Sequence, residues 1–487
     1  MIKRVVHKNL VLLIVAVAQF MVVLDSSIVN VALPSIYRSL HFTSTSSLQW
    51  VVTAYTLAFG GFLLLGGRAS DLYGRRKMFM YAAAAFSIAS LACGLSQNST
   101  MIQILRAIQG LAAAFMSPAA LSIVLTTFKE GKERAKALSV WGAVAAGGAA
   151  AGVLVGGVLT EYLDWRWNFF VNVPVGIAVV TAAYLYVPDS KADLDHNKLD
   201  LPGAALVTSG LMLLVYAFTK APVAGWTSST AVLLIGGAVA LLAAFVYNES
   251  RSKHALMPLS IFKIRGVAGA NLTQLPITAS LFSMFFFVTL YLQNILHFSP
   301  IRSGLSFLPI PLTIGFMSFL MQKIIAKFGY KKPIVVGALL IASGLFYLAH
   351  IPVQGHYVTN ILPGLILMSV GLGMTFISIT IAATTGVPAR ESGLASGLLN
   401  TSQQVGGSLG LAILSGVSAS TTISYLRSHA AGARQPLVQA AAQVQGYHHA
   451  FYVGMSFALL ASLSAALLIH EKRGGAGVDV SAAHAAV

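Results

Sequence analysis

The chain has 487 residues, of which only 9% are charged and 56% hydrophobic, with a mean hydropathy of +0.78. A soluble domain carries roughly 25% charged residues, so this composition cannot clothe a water-facing surface of ordinary size. The net charge of +17 lies in short clusters between apolar runs, with no basic arm and no aromatic-interleaved basic patch, which excludes a nucleic-acid partner.

In chain order, the basic start Met1-Ile2-Lys3-Arg4 leads into an apolar run from Leu10 to Leu33. That run is longer than a signal-peptide core and lacks a small-residue cleavage site, so it reads as a retained first span. Further runs of spanning length follow at 48–67, 78–97, 101–127, 137–160 and 166–188, then at 201–220 and 231–248. Six more lie at 266–294, 302–322, 333–351, 357–385, 396–420 and 448–470, which makes fourteen. With the N-terminus in the cytoplasm, the inner segments hold 24 Lys and Arg and the outer ones six, with Arg106 left inside the fourth span. That bias fits both termini being cytoplasmic.

The turn after the second span reads Arg68-Ala69-Ser70-Asp71-Leu72-Tyr73-Gly74-Arg75-Arg76-Lys77. Its counterpart after the tenth ends in Phe328-Gly329-Tyr330-Lys331-Lys332, with Gly74 matched to Gly329. A glycine-basic turn used twice predicts two six-helix bundles related by an axis along the membrane normal. The fold expected is therefore all-α: a first bundle over 1–188, a linker and two-helix insert over 189–265, and a second bundle with a short tail over 266–487. The single cysteine, Cys93, excludes a disulfide framework and reads as a buried, inert thiol.

Ionisable groups inside a bilayer are costly and usually functional. Of fourteen acidic residues only Asp25 lies well inside a span. A rise of 1.5 Å per residue puts Asp25 roughly 12 Å below the outer end of span 1 and Arg106 roughly 8 Å below that of span 4. If the two spans adjoin, the charges pair or share a network in which Gln109 can join. The structural alternatives are a carboxylate that only caps or pairs, and an arginine that snorkels to anchor its helix. No histidine has a metal-ligand partner at useful spacing, and no catalytic set or nucleotide-binding loop is present, so neither an enzyme nor ATP-driven transport is expected. The energy source is then an ion gradient or the substrate's own gradient.

Span 5 carries Gly148, Gly152 and Gly156 at four-residue spacing, followed by Gly157; such a ladder lets backbones approach, whether for plain packing or for a moving interface. Gln19, Tyr55, Gln109, Asn271, Gln274, Phe285 and Tyr291 are candidates to line a cavity for amphipathic aromatic ligands.

Leu24-Asp25-Ser26-Ser27-Ile28-Val29-Asn30-Val31-Ala32-Leu33-Pro34 resembles the first-helix signature of the fourteen-helix drug:proton antiporter branch of the major facilitator superfamily. Gly67, Asp71, Gly74, Arg75 and Arg76 resemble the superfamily's glycine–aspartate–basic loop, and Arg106, Gln109 and Gly110 its helix-4 motif, linked there to proton coupling. The span-5 glycines resemble the antiporter motif, except that Val153 stands where proline usually follows Gly152, so a proline-dependent bend is not implied. The resemblance covers essentially the whole chain. It implies a monomeric, cofactor-free, proton-driven exporter of lipophilic cationic or amphipathic drugs in the cytoplasmic membrane. Asp25, Arg106 and Gln109 would couple protons, and the Asp71 loop would switch conformation. Export of one endogenous metabolite or self-made antibiotic is the alternative within transport; a non-transporting receptor or scaffold is the alternative outside it.

Overall fold

A segment in lipid must satisfy its backbone groups internally, which favours helix throughout. The computed structural model describes residues 7–128, 132–191, 199–225, 227–252, 255–387, 392–429, 435–469 and 471, and contains no strand among them. Fourteen long helices follow one another among these residues. They are α1 (Lys8–Ser39), α2 (Trp50–Tyr73), α3 (Arg75–Gly94), α4 (Ser99–Thr127), α5 (Lys132–Tyr162), α6 (Trp167–Tyr186) and α7 (Leu201–Ala224). Then come α8 (Ser229–Arg251), α9 (Arg265–Leu290), α10 (Pro309–Phe328), α11 (Lys331–Leu348), α12 (Leu362–Thr384), α13 (Ser392–Ser428) and α14 (Pro436–Leu468). Among the described residues, thirteen helical stretches are long and apolar enough to cross a membrane. The remaining helix, α5, is 31 residues long and covers the apolar run at 137–160.

Several helices outrun their apolar segments. α14 begins at Pro436 rather than at 448, and α1 continues to Ser39. Starts are marked by side chains that accept otherwise orphaned backbone N–H groups: Asn98 from Met101, Ser228 from Ala231, Asp200 from Gly203.

In the first half α1 packs on α5, α2 on α4, and α3 on α4 and α6; in the second, α9 packs on α13 and α14, and α11 on α12 and α14. Glycine permits the close pairs. A Cβ on Gly152 would collide with Ser27 Oγ of α1, and one on Gly156 would lie 2.8 Å from the Ile28 carbonyl oxygen. Gly406 and Gly410 of α13 meet Leu275 and Ala279 of α9 in the same way. The α1–α5 contact is thus repeated as α9–α13.

The repeated loop is equally plain. Gly74 (φ 106°) closes α2 and Gly329 (φ 73°) closes α10, both in the left-handed region that disfavours side chains. Each turn is tied to the segment after the last helix of its own half. The Arg75 amide donates to the Ser190 carbonyl (2.9 Å), and the Tyr330 amide to Glu471 Oε1 (2.8 Å). Burial and the Glu471 carboxylate push the Tyr330 phenol above its ordinary value.

The insert helix α7 contacts both α2 and α13, while α8 packs on α7. Gln49 Nε2 donates to Thr219 Oγ1 of α7 (2.8 Å), and Leu57, Leu211, Val215 and Ala412 make a small core between the three helices. Outward-facing residues such as Ile88, Leu233 and Phe319 are apolar and largely exposed, as a lipid-facing surface requires.

Candidate functional site

Between the halves lies a cavity of 2030 Å³. Its wall runs from Ser26, Tyr55 and Phe285 within helices and Phe307 in the turn before α10 to Arg68, Asp71, Leu125, Glu249, Lys263 and Thr384 at helix ends. It therefore opens on the end that bears the Asp71 loop. At the other end the halves are closed on each other. Gln293 Nε2 donates to the Val31 carbonyl (2.8 Å), and the Ile301 amide donates to Glu161 Oε2 (2.9 Å). Gly157 packs on Ile301, and Gly304 leaves room for the Val153 carbonyl. Gly148, Gly152 and Gly156 thus face α1, whereas Gly157 faces the opposite half.

Behind the cavity wall, α1 and α4 adjoin and Arg106 Nη1 lies 2.6 Å from Asp25 Oδ2. Arg106 Nη1 also donates to Gln109 Oε1 (2.8 Å) and its Nε to the Val51 carbonyl (2.9 Å). The other carboxylate oxygen, Asp25 Oδ1, accepts from Gln109 Nε2 (2.8 Å) and Asn172 Nδ2 (3.0 Å). Asn172 in turn donates to Ser90 Oγ (3.0 Å), which donates to the Phe169 carbonyl (2.8 Å). All of these side chains are buried, Asp25 at 0% exposure and Arg106 at 1%. The Tyr55 ring covers the guanidinium at 4.2 Å and also lines the cavity, so it stands between the two. Burial of an ion pair is tolerable when further hydrogen bonds satisfy both partners, and here they do.

Asp71 sits at the cavity mouth. Its Oδ1 accepts from Arg75 Nε (3.0 Å) and Nη2 (2.8 Å) and from Ser122 Oγ of α4 (3.3 Å). Arg76 faces away, toward Asp189 (3.8 Å) and the Val187 carbonyl. Gly67 lies against Pro118 of α4.

The candidate cavity residues divide. Gln19, Tyr55 and Phe285 are on the wall, Gln19 Oε1 accepting from Ser117 Oγ (2.9 Å). Asn271, Gln274 and Tyr291 are not. Asn271 donates to the Val267 carbonyl and accepts from Ser402 of α13, Gln274 is buried, and the Tyr291 hydroxyl donates to the Pro352 carbonyl (2.6 Å). These three belong to the interior of the second bundle, because α9 turns that face toward its neighbours.

Asn172, Ser90 and Gln404 escaped the sequence reading. The signal for Asn172 was present: Asn168 and Asn172 stand four apart in an otherwise apolar helix, and a buried amide needs a partner.

With this architecture in view, a sequence profile described as Major Facilitator Superfamily matches residues 15–411. The chain belongs to the Major Facilitator Superfamily. This superfamily protein is 40% identical over 460 residues to the puromycin resistance protein pur8 of Streptomyces alboniger, covering 94% of this chain and 90% of that one. It is 39% identical over 418 residues to the cephamycin export protein CmcT of Amycolatopsis lactamdurans, covering 84% and 85%. In fold it resembles a bacterial homologue of the human lysosomal transporter Spinster in an inward-facing, unoccupied conformation. The TM-score is 0.67 at 16% identity, over 95% of this chain and 97% of that one. This superfamily member is accordingly a multi-pass membrane transporter whose relatives confer antibiotic resistance and export.

Proposed function

We propose that this transporter is a proton-coupled antiporter that exports lipophilic cationic or amphipathic antibiotics across the cytoplasmic membrane, with both termini in the cytoplasm. One observation carries the reading: a sealed Asp25–Arg106 pair stands one aromatic ring away from a cavity open at a single end. While both charges remain, the pair is stable. Protonating Asp25 leaves Arg106 uncompensated, and losing one partner of a buried pair costs about 3–5 kcal/mol. A proton therefore carries differential free energy between two arrangements of the helices, which is what coupling requires. Arg106, Gln109 and Asn172 hold the carboxylate, and Tyr55 keeps water from it. Asp71, bound to Arg75 and Ser122, holds α2 to α4 at the open end and would be released when that end closes. Proton entry down one pH unit supplies about 1.4 kcal/mol. No cofactor is needed, and a single copy suffices.

The test is drug accumulation in cells lacking their own pumps, comparing wild type with Asp25→Asn. The variant is expected to accumulate drug as cells without the protein do, with variant and wild type compared at equal folded amount in the membrane. Wild-type pumping by the variant would refute the assignment of Asp25. A second reading, export of one self-made antibiotic, draws on the relatives named for a single compound. The breadth of the same drug panel separates the two.

A further inference from the structure

The Asp25 network satisfies the buried charge, but three residues of the cavity wall carry a buried polar atom with no partner among the described residues: Glu249 Oε1 at the mouth, and two others within the chamber. Tyr55 Oη is one: the residue is 1% exposed, its ring lies against Arg106, and its hydroxyl has no hydrogen-bond partner. The side-chain oxygen of Gln404 on α13 is the other. The two come from opposite halves, on helices that touch. A Cβ on Gly60 of α2 would lie 2.8 Å from Gln404 Cβ, and Thr56 Oγ1 and Ser408 Oγ meet at 2.5 Å near the same seam. A buried polar atom left unpaired costs about 1–3 kcal/mol. On the wall of a binding cavity that cost is recovered when a ligand supplies the missing bond.

Charge on the same wall is confined to the mouth. Among the described lining residues only Arg68, Asp71, Glu249 and Lys263 carry a formal charge at neutral pH. Asp71 is held by Arg75, and Glu249 Oε2 accepts from the Met257 amide (2.7 Å). Asp25 has no exposed surface and lies behind Tyr55. The deeper wall offers Phe59, Trp141, Phe282, Phe285 and Phe307 but no carboxylate. Aromatic faces can attract a quaternary cation, at about 0.5–2 kcal/mol. Such a ligand leaves both atoms as unpaired as they are in the empty cavity and gains only that attraction, whereas a donor-bearing ligand also recovers the cost of the orphan atoms.

We infer that Tyr55 and Gln404 form a two-sided hydrogen-bonding subsite that favours amphipathic substrates carrying an O–H or N–H donor over quaternary cations that carry none. The inference rests on the exporter reading above and narrows its substrate class. Because one partner comes from each half, a bound donor ties α2 to α13, and occupancy biases the arrangement of the halves.

The experiment is efflux from pump-deficient cells of two sets of compounds. Puromycin and tetracenomycin C carry donors; tetraphenylphosphonium and benzalkonium are permanent cations without one. Wild type is compared with Tyr55→Phe, which keeps the ring over Arg106, and with Gln404→Leu, each normalised to its folded amount in the membrane. The donor-bearing set is expected to be exported with a lower half-maximal concentration than the permanent cations. Each variant should raise the half-maximal concentration of the donor-bearing compounds about 3- to 10-fold, the effect of one lost neutral hydrogen bond, and leave that of the permanent cations unchanged. Export of the permanent cations at an equal or lower half-maximal concentration than the donor set would overturn the selectivity and leave the exporter reading intact. An unchanged half-maximal concentration for the donor set in either variant would overturn the two-sided subsite. Export of neither set would remove the exporter reading, and this inference with it.

Discussion

Replacing Asp25 and Arg106 singly and together distinguishes a coupling pair from a structural one. Asp25→Asn keeps the shape of the side chain, and its carbonyl can still accept from Gln109 and Asn172. Its amide then faces Arg106 Nη1 where the carboxylate oxygen had been, 2.6 Å away. Two donors oppose each other and the arginine is left charged, so we predict a loss of about 3–5 kcal/mol from the folded helix packing. Arg106→Gln leaves the carboxylate buried with only its amide donors and should cost a similar amount. Removing both charges is often close to neutral, so the double variant should recover most of the stability lost by either single one. Thermal unfolding in detergent reads the stability, and proton-driven uptake into inverted vesicles reads the coupling. Restored stability without restored transport is the expected outcome. Additive losses of stability would contradict the pairing argument, and transport at the wild-type rate by the double variant would refute a coupling role for the pair.

Asp71→Asn should slow turnover without greatly changing substrate affinity in detergent, because Asp71 joins Arg75 and Ser122 at the mouth; lost affinity with normal turnover would contradict this. Gly152→Val should lower the folded amount by prising α1 from α5, an overpacking cost of about 1–3 kcal/mol; wild-type yield and melting temperature would show that the close contact with Ser27 is dispensable. For a monovalent cation that carries a donor, exchange against one proton at Asp25 should move no net charge. The membrane potential, worth about 2.3 kcal/mol per charge per 100 mV, would then drive nothing by itself. Uphill movement of such a dye in proteoliposomes under potential alone would reveal a second titrating group, with Asp71 the first suspect.

What the sequence could and could not disclose follows from what hydropathy encodes. Spanning length, the repeated Gly74 and Gly329 turns and the isolation of Asp25 are local properties and can be read directly. The early start of α14 is not, since Gln439, Gln443 and Gln445 mark helix outside the hydrocarbon, where no apolar run reports it. The direction a residue faces was the hardest to read. A helix that is apolar all round carries no stripe, so nothing told Phe285, on the cavity wall, from Tyr291, buried in its bundle. Asn172 was missed for a related reason: its role depends on α3 and α6 meeting behind α1, a tertiary fact.

The insert makes the two flanks of the cavity unequal. On one flank α7 lies along the seam between α2 and α13, with Gln49 and Thr219 fastening it and α8 outside it. On the other flank α5 and the short helix Pro300–Ser306 that precedes α10 form the seam themselves, closed at one end by Gly157 against Ile301. A lipophilic molecule dissolved in the leaflet at the cavity's open end thus meets a helical wall on one side and a bare seam on the other. The chamber is screened from the bilayer on one flank by a pair of helices that contribute little to its lining, and on the other by its own wall alone.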